Sequence, residues 1–332
     1  MHIPDGYLSP ATAGTLYACS LPFWYLAVNG VRKVLTHRTV PVLALFAAFI
    51  FLLMMFNIPL PGGTSGHAVG GTLLAIVLGP WAAILGVTVV LGIQALFFGD
   101  GGLIAFGANC FNMAIVLPLT GYFIYKIISA NSTGTSPRRL VAGVIGSYLG
   151  IVAAATAAGI EFGLQPALFH AADGTPLYAP YALNVALPAM LIGHLLIAGP
   201  VEAVVTGGVL AYLQKSHSSL VKADINARPE GRLWLLWGAL GVMALATPVG
   251  LLASGTAWGE WGAQELSGLG LNFIPEGITR FAGWWPAPLP EYGISRIGAV
   301  VGYVLSAFVG IALITFLLML LGRWLSRRGT AV

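Results

Sequence analysis

The sequence has few charged side chains for its length. Only 8% of its 332 residues are Asp, Glu, Lys or Arg, against roughly 25% in ordinary globular domains, whereas 58% are hydrophobic. Fifteen basic and eleven acidic side chains could not cover the surface of a soluble protein of this size. The composition therefore excludes a soluble protein, a disordered chain and a nucleic-acid binder, and it predicts a multi-pass membrane protein surrounded by lipid.

Cysteine and the common catalytic motifs are also scarce. Cys19 and Cys110 are the two cysteines, and both fall in apolar stretches, so we expect neither a disulfide framework nor a cysteine-rich metal site. The sequence contains no P-loop, no His-Glu-x-x-His and no Gly-x-Ser-x-Gly, which argues against nucleotide hydrolysis and the familiar hydrolase sites. We predict a protein that is not an enzyme and that binds no nucleotide.

Long apolar runs predict an all-α integral membrane fold, because a spanning helix needs about 20 mostly apolar residues. The run 68–98 is too long for one ordinary span and is interrupted at Gly79-Pro80, so we expect two helices there, the first of about 12 residues. The other predicted spans are 12–31, 40–58, 103–125, 140–160, 186–212, 233–253 and 297–322.

Basic side chains indicate the orientation of these spans. They cluster in four places: Arg32, Lys33 and Arg38; Lys126, Arg138 and Arg139; Lys215, Lys222, Arg228 and Arg232; and Arg323, Arg327 and Arg328. Placing all four clusters in the cytoplasm gives nine crossings of the cell (inner) membrane, with the N-terminus outside and the C-terminus inside.

The chain divides at its longest polar run. We predict a first membrane domain at 1–213 with seven helices, a cytoplasmic linker at 214–232, and a second membrane domain at 233–332 with two helices. The two helices of the second domain are joined by a large outer loop, 254–296, which is rich in Gly, Pro and Trp.

The first two residues could bind a metal ion. A free amine on Met1, the amide nitrogen of His2 and the Nδ1 atom of His2 can chelate one ion in two fused rings. Three coplanar nitrogens with one more nitrogen donor form the tetragonal geometry of Ni(II) or Cu(II). The opening residues lack the basic region of a signal peptide, so we expect this N-terminus to survive in the mature protein.

The fourth donor should lie on the same side of the membrane. His67 ends a short glycine-rich outer loop, 61–67, and is our candidate. The remaining histidines are less suitable by position: His37 and His217 in basic inner loops, His170 in an outer loop and His194 inside a span.

Other polar residues near these segments leave two interpretations open. Asp5 either supports His2 or, as the sequence favours, acts as a cap or turn residue. Asn109 and Asn112 lie three residues apart and either line a pocket or cross-link helices. His194 and Glu202 lie in one span, where an ionisable side chain is either functional or part of a structural contact. We favour structural polar contacts for both.

Four segments resemble one family. The opening, Met1 to Pro10, resembles that of CbiM and NikM, the cobalt and nickel substrate-binding (S) components of energy-coupling factor (ECF) transporters. Residues 63–67, 101–113 and 193–203 are similar to later motifs of that family, and the resemblance covers about 1–213. The two-helix tail is similar to the N-component-like domain of fused versions.

The resemblance implies ligands, partners and an activity. Met1, His2 and His67 would hold Ni(II) or Co(II) as the transported substrate, while a transmembrane coupling (T) subunit and cytoplasmic ATPase subunits would supply the energy. The candidate pocket or supporting residues are Asp5, Thr64, Ser65, Asn109 and Asn112. The alternative is a proton-coupled secondary transporter of divalent cations, which would need paired carboxylates inside the spans.

Overall fold

The computed structural model describes residues 1–32, 36, 39–216, 233–253 and 255–328. These residues form helices and one short β-hairpin, which confirms the prediction of an all-α membrane protein. Several predicted features lie outside the described residues: His37, His217, most of the linker 214–232, and the basic residues Lys33, Arg38, Lys222, Arg228 and Arg232.

The helices follow the predicted order along the chain. They are α1 (Pro10–Arg32), α2 (Thr39–Met55), α3 (Gly71–Leu78), α4 (Pro80–Phe98), α5 (Phe106–Ile128), α6 (Pro137–Leu168), α7 (Leu183–Ser216), α8 (Leu233–Leu252), α9 (Ala263–Gly268), α10 (Glu276–Phe281) and α11 (Ala299–Arg328). The hairpin consists of β1 (Ile58–Leu60) and β2 (Thr64–Gly66).

Two of the long helices, α1 and α6, have a proline as their first residue and a serine directly before it. The Ser136 side chain accepts a hydrogen bond from the Arg138 amide at the start of α6, and the Ser9 hydroxyl accepts one from the Thr12 amide at the start of α1. A serine cap satisfies an amide that has no partner within the helix, and a proline in the first position lacks the N–H that would need one. These short sequence signals therefore set where both helices start.

The predicted break at Gly79-Pro80 is confirmed. Gly79 has φ 89°, which suits glycine, and Pro80 opens α4. Helix α3 has 8 residues, fewer than we predicted, and it spans about 12 Å of a hydrocarbon core that is about 30 Å thick. It does not cross alone, and it is buried among the other helices over Gly71–Val77.

Six helices of the described chain are long and apolar enough to cross a membrane: α4, α5, α6, α7, α8 and α11. Helix α1 has the length but is less apolar, and α2 is shorter, with 17 residues. The chain is therefore a multi-pass membrane protein. The count of nine crossings and the outward N-terminus stay predictions.

Helix α2 lies at the centre of the molecule, with almost every side chain buried. Helix α11 packs against it so closely that a Cβ atom on Gly310 would lie 2.1 Å from the Phe51 ring. The Tyr303 hydroxyl of α11 also donates to the carbonyl of Met55 at 2.8 Å, where α2 ends. The C-terminal helices are thus packed onto the core of the first seven.

The β-hairpin rises from the end of α2 and returns toward α3. Its strands are antiparallel, with Ile58 opposite Gly66, and the turn contains Gly62 and Gly63 with positive φ angles. Ser65 also bridges to Ala257 of the C-terminal region. The hairpin therefore holds the segment before α3 between the bundle and the loop that precedes α11.

Close packing of α5 on α6 depends on glycine, and we expect Gly146→Ala to destabilise the fold. A Cβ atom on Gly146 would lie 2.6 Å from the carbonyl oxygen of Gly121, so the backbones would have to separate. Such overpacking costs about 1–3 kcal/mol. Thermal unfolding in detergent, followed by tryptophan fluorescence, measures the loss.

The matched control is Gly208→Ala in α7, where a Cβ atom meets nothing within 4 Å. Alanine favours a helix over glycine, so this control should unfold no earlier than the unmodified protein. Equal stability of the two variants would contradict the packing.

Candidate metal-binding site

The N-terminal segment folds back into the protein and is buried. Met1 is 4% exposed, His2 2% and Ile3 0%. The chain reverses at Gly6, where φ is 94° and a Cβ atom would lie 2.4 Å from the carbonyl oxygen of Gly277. A glycine is needed there because only glycine permits both the angle and the close approach. The first two residues are therefore interior residues.

The first turn of α5 and the segment before it hold this N-terminus in place. The Asn109 side chain accepts from the Ile3 amide at 2.7 Å and donates to the Ile3 carbonyl at 3.0 Å. The Gly102 amide also donates to the Ile3 carbonyl, at 2.9 Å. These bonds satisfy buried backbone groups next to His2, and they fix its position.

Asp5 also connects the N-terminal segment to the residues just before α5. Its carboxylate accepts from the amides of Leu103, Ile104 and Ala105 at 3.1, 2.8 and 3.1 Å, just before α5 begins. The Trp284 indole also donates to it at 3.0 Å. Of the two interpretations left open by the sequence, this contact matches the cap or turn residue, because Asp5 bonds backbone amides and not His2.

His2 and His67 lie side by side in the interior. Their ring centroids are 5.1 Å apart, with the planes tilted by 49°. Both rings line a cavity of about 600 Å³, together with Ser65 and Asp100. The Nε2 atom of His2 is buried and has no hydrogen-bond partner among the described residues. A buried nitrogen without a partner is one that a ligand could satisfy.

The tautomer of His67 follows from its bond to the backbone. Its Nδ1 atom lies 3.1 Å from the carbonyl oxygen of Ala68. A carbonyl only accepts, so Nδ1 carries the proton and the Nε2 atom of the neutral ring keeps a lone pair. Burial, together with the nearby N-terminal ammonium, lowers the pKa of His67 well below its ordinary value. The ring is therefore neutral at pH 7 and can serve as a ligand.

Asp100 is the acidic partner of His2. Its carboxylate bonds the Nδ1 atom of His2 and accepts from the Tyr292 hydroxyl at 2.5 Å and the Gln94 amide at 3.2 Å. Burial alone would raise the pKa of Asp100, but His2 and the Tyr292 hydroxyl lower it to about 2. The carboxylate is thus ionised, and it occupies the nitrogen that the predicted chelate uses.

Glu260 is the acidic partner of the N-terminal amine. The Met1 nitrogen donates to its carboxylate at 3.1 Å. Glu260 belongs to the loop before α11, which also meets the hairpin, where the Ser65 amide donates to the Thr256 carbonyl at 3.3 Å. The C-terminal region therefore forms one wall of the cavity that contains both histidines.

The structure places His2 beside His67 and the N-terminal amine near the His67 ring, but the supporting residues lie in different places. Ser65 lines the cavity, and the Thr64 hydroxyl donates to the Pro61 carbonyl at 3.2 Å within the hairpin. Asn109 holds the backbone beside His2. The Asn112 amide instead donates to Glu161 at 2.8 Å, which cross-links α5 and α6.

Both polar residues of α7 bond backbone groups. The His194 Nδ1 atom donates to the Met190 carbonyl at 2.7 Å, one turn earlier in the helix. Glu202 accepts from the amides of Val69 and Gly70 at 2.7 and 2.9 Å. Glu202 therefore connects a membrane helix to the segment that follows His67.

Sequence reasoning missed Asp100, Glu260 and Tyr292. Asp100 had a usable signal, because it is an acid in a glycine-rich run directly after a predicted outer helix end. Glu260 is one of several acids in its loop, and Tyr292 is one of 11 tyrosines, so neither could be selected. Their pairing with the N-terminal segment is a product of the fold.

Side chains alone do not form a metal site. Within the described ranges, no three His, Cys, Asp or Glu side chains are grouped so that they could hold a metal ion. An ion placed between His2 and His67 would need further donors, and the Met1 amine lies close enough to influence the His67 ring. The fold and the site together define a membrane protein with two imidazoles and several carboxyl groups around one cavity.

Comparison with known families places the chain in a class of metal transport proteins. Residues 2–220 match the family CbiM, described as the cobalt uptake substrate-specific transmembrane region. Residues 232–328 match the PDGLE domain. The chain therefore belongs to the CbiM family, which confirms the resemblance seen in the sequence, and it is a transport protein and not an enzyme.

Curated relatives match the chain over nearly its whole length. The fused nickel transport protein NikMN of Rhodobacter capsulatus is 46% identical, over 95% of this chain and 95% of its own. The probable fused nickel transport protein LarMN of Lactiplantibacillus plantarum is 47% identical, over 97% of each chain.

Two solved structures match about two thirds of the chain. A crystal structure of a transition metal transporter shares 54% identity with a TM-score of 0.61, and it covers 65% of this chain and 93% of that one. A truncated transition metal transporter shares 53% identity with a TM-score of 0.60, over 64% and 98%. The predicted domain limits at 213 and 232 stay a prediction.

We expect Asn109→Ala to expose the Met1 amine. The substitution removes both hydrogen bonds to Ile3, each of which contributes about 1 kcal/mol, so the N-terminal segment should open roughly 10–30 times more often. The rate at which an amine-selective reagent modifies Met1, read by mass spectrometry, measures this opening. Asn112→Ala is the control, since Asn112 bonds Glu161, and its rate should match the unmodified protein. An unchanged rate in Asn109→Ala would show that Asn109 does not hold the segment.

Proposed function

We propose that the chain is the ion-capture membrane subunit of an ATP-driven nickel or cobalt uptake transporter of the energy-coupling factor type. The observation that carries the proposal is the burial of Met1 and His2 beside the imidazole of His67, with ring centroids 5.1 Å apart. The names of the relatives, which describe nickel and cobalt transport, support the same substrate.

Four nitrogens form the binding set. The Met1 amine, the His2 amide and the His2 imidazole close two chelate rings around one ion, and the Nε2 atom of His67 supplies the fourth donor. Four nitrogen donors in a square plane favour Ni(II), and the same ligands can also bind Co(II). These donors replace the water shell that the ion loses on entering a buried site.

When the ion binds, it replaces the protons and the carboxylate partners of the binding nitrogens. Glu260 now pairs with the Met1 amine and Asp100 with the His2 Nδ1 atom, so both contacts must open before these nitrogens bind metal. The two carboxylates then remain beside the ion and offset its positive charge in a poorly hydrated site. Glu260 and Asp100 thus pair with the nitrogens when the metal is absent, and they offset the charge of the ion when it is bound.

Energy comes from other chains. The sequence has no P-loop, so we infer that nucleotide binds to cytoplasmic ATPase subunits, which act through a transmembrane coupling (T) subunit. The proposed orientation in the cell (inner) membrane has the N-terminus outside and the C-terminus in the cytoplasm. A proton-coupled carrier is less well supported, because the buried Glu161 and Glu202 bond Asn112 and backbone amides and not each other.

We expect any extension of the N-terminus to abolish metal binding. An added residue converts the Met1 amine into an amide and places new chain in a segment that is 4% exposed at Met1. The affinity for Ni(II) should fall at least a hundredfold, measured by titration of the purified protein with the metal. A tag of equal length at the C-terminus is the control and should leave the affinity unchanged. Tight binding by the N-terminally extended protein would refute the ligand set.

We also expect the affinity to fall as the pH falls. Protons compete with the ion for the amine and amide nitrogens, whereas His67 is already neutral because burial lowers its pKa. Each proton released weakens binding by up to about tenfold for every unit of decreasing pH. Calorimetry in buffers of different ionisation enthalpy counts the protons, and binding without proton release would contradict amide coordination.

A further inference from the structure

Glu202 is a buried carboxyl group of α7 that serves the segment directly after His67. It is 0% exposed, and its two oxygens accept from the Val69 amide at 2.7 Å and from the Gly70 amide at 2.9 and 3.0 Å. These amides precede α3, and its N-cap residue, Gly70, has no side chain that could cap the helix. Because buried amides need acceptors, Glu202 of α7 supplies the carboxylate that accepts from the amides before α3.

A single peptide group links Glu202 to the imidazole of His67. The peptide between Ala68 and Val69 donates its N–H to Glu202 and accepts the Nδ1 proton of His67 at its carbonyl oxygen, at 3.1 Å. The carboxyl group therefore fixes the plane of this peptide, and the peptide fixes the ring. Hydrogen bonds connected in this way polarise and strengthen one another.

The tautomer of His67 depends on that peptide. With Nδ1 protonated, the lone pair lies on Nε2, on the opposite side of the ring from the Ala68 carbonyl. A metal-binding imidazole usually donates its other N–H to such an acceptor, which fixes the orientation of the ring. If the peptide rotated, Nδ1 would lose its acceptor, and the preference for this tautomer would disappear.

We propose that Glu202 is a positioning residue for His67, acting through the Ala68–Val69 peptide to hold the imidazole with Nε2 free for the metal ion. The inference rests on the proposed function, since it assigns Glu202 to the site in which His67 is a ligand. It adds a residue from the middle of a membrane helix, 135 positions from His67 in the chain.

The first experiment needs no metal. Nitrogen-15 NMR of the full chain, labelled at histidine and assigned with a His67→Gln variant, reports which ring nitrogen carries the proton. The unmodified protein should show His67 protonated at Nδ1. A ring protonated at Nε2 in the unmodified, metal-free protein would overturn the proposal without the use of any Glu202 variant.

Glu202→Gln then tests the cause. Glutamine keeps the shape of the side chain but replaces one acceptor oxygen with an NH2 donor that faces the Val69 or Gly70 amide. We expect the His67 tautomer to become mixed and the affinity for Ni(II) to fall 10- to 100-fold. The visible absorption of the Ni(II) form should shift as well, because the fourth nitrogen is misplaced.

Glu161→Gln is the matched control. Glu161 is a buried glutamate of the neighbouring helix α6, and it bonds Asn112 and not the His67 segment. This variant should lose a comparable amount of thermal stability while the His67 tautomer and the Ni(II) spectrum stay unchanged. Equal shifts of tautomer and spectrum in both variants would assign Glu202 a general structural role and reject the proposal.

A parallel His67→Ala titration separates this proposal from the proposed function. Unchanged Ni(II) affinity in His67→Ala would reject His67 as a ligand, and with it the proposed binding set, whatever the tautomer shows. Severe loss in His67→Ala, with no change of tautomer or affinity in Glu202→Gln, would reject the role of Glu202 alone.

Discussion

The end of the bundle that contains the N-terminus is organised around a buried positive charge. The N-terminal ammonium lies inside the protein, where an ammonium without a partner would be unfavourable by several kcal/mol. Glu260 supplies the balancing carboxylate, and the Asp100 carboxylate bonds the Nδ1 atom of the neighbouring His2. The cradle of Asn109 and Gly102 then satisfies the backbone next to these pairs, so a flexible terminus becomes an ordered interior segment.

The candidate site combines rigid helices with connections that are held from several directions. His67 follows a hairpin that is fixed by the C-terminal region on one side and by Glu202 of α7 on the other. Residue 100 follows the π-helical end of α4, where a widened turn changes the direction of the chain. Each histidine-bearing segment is therefore anchored to a different helix, the His2 segment to α5 and the His67 segment to α7.

Much of the helical framework could be predicted from the sequence. Apolar length gives the long spans, and Gly79-Pro80 marks the boundary between α3 and α4, because glycine and proline act on the local backbone. The length of α3 was overestimated, since burial by neighbouring helices allows a helix too short to cross alone. Whether a helix is surrounded by protein or by lipid is decided by packing, which local sequence does not specify.

The candidate site was only partly predictable for the same reason. Met1 and His2, the proposed chelating pair, are adjacent in sequence, so their possible chemistry could be recognised directly. The partners of these residues are distant, with Asp100 98 positions from His2 and Glu260 259 positions from Met1. Asp5 shows the converse, because an acid close in sequence to His2 bonds the start of α5 instead.

One polypeptide carries both Glu260 and the N-terminal amine that it pairs with. Their encounter is intramolecular, so its probability is set by a local effective concentration and not by how much of a second protein the cell makes. The loop that contains Glu260 cannot dissociate and diffuse away in the membrane, and each N-terminus has one such loop in its own chain. Assembly of this wall of the cavity is therefore a step of folding and not of complex formation.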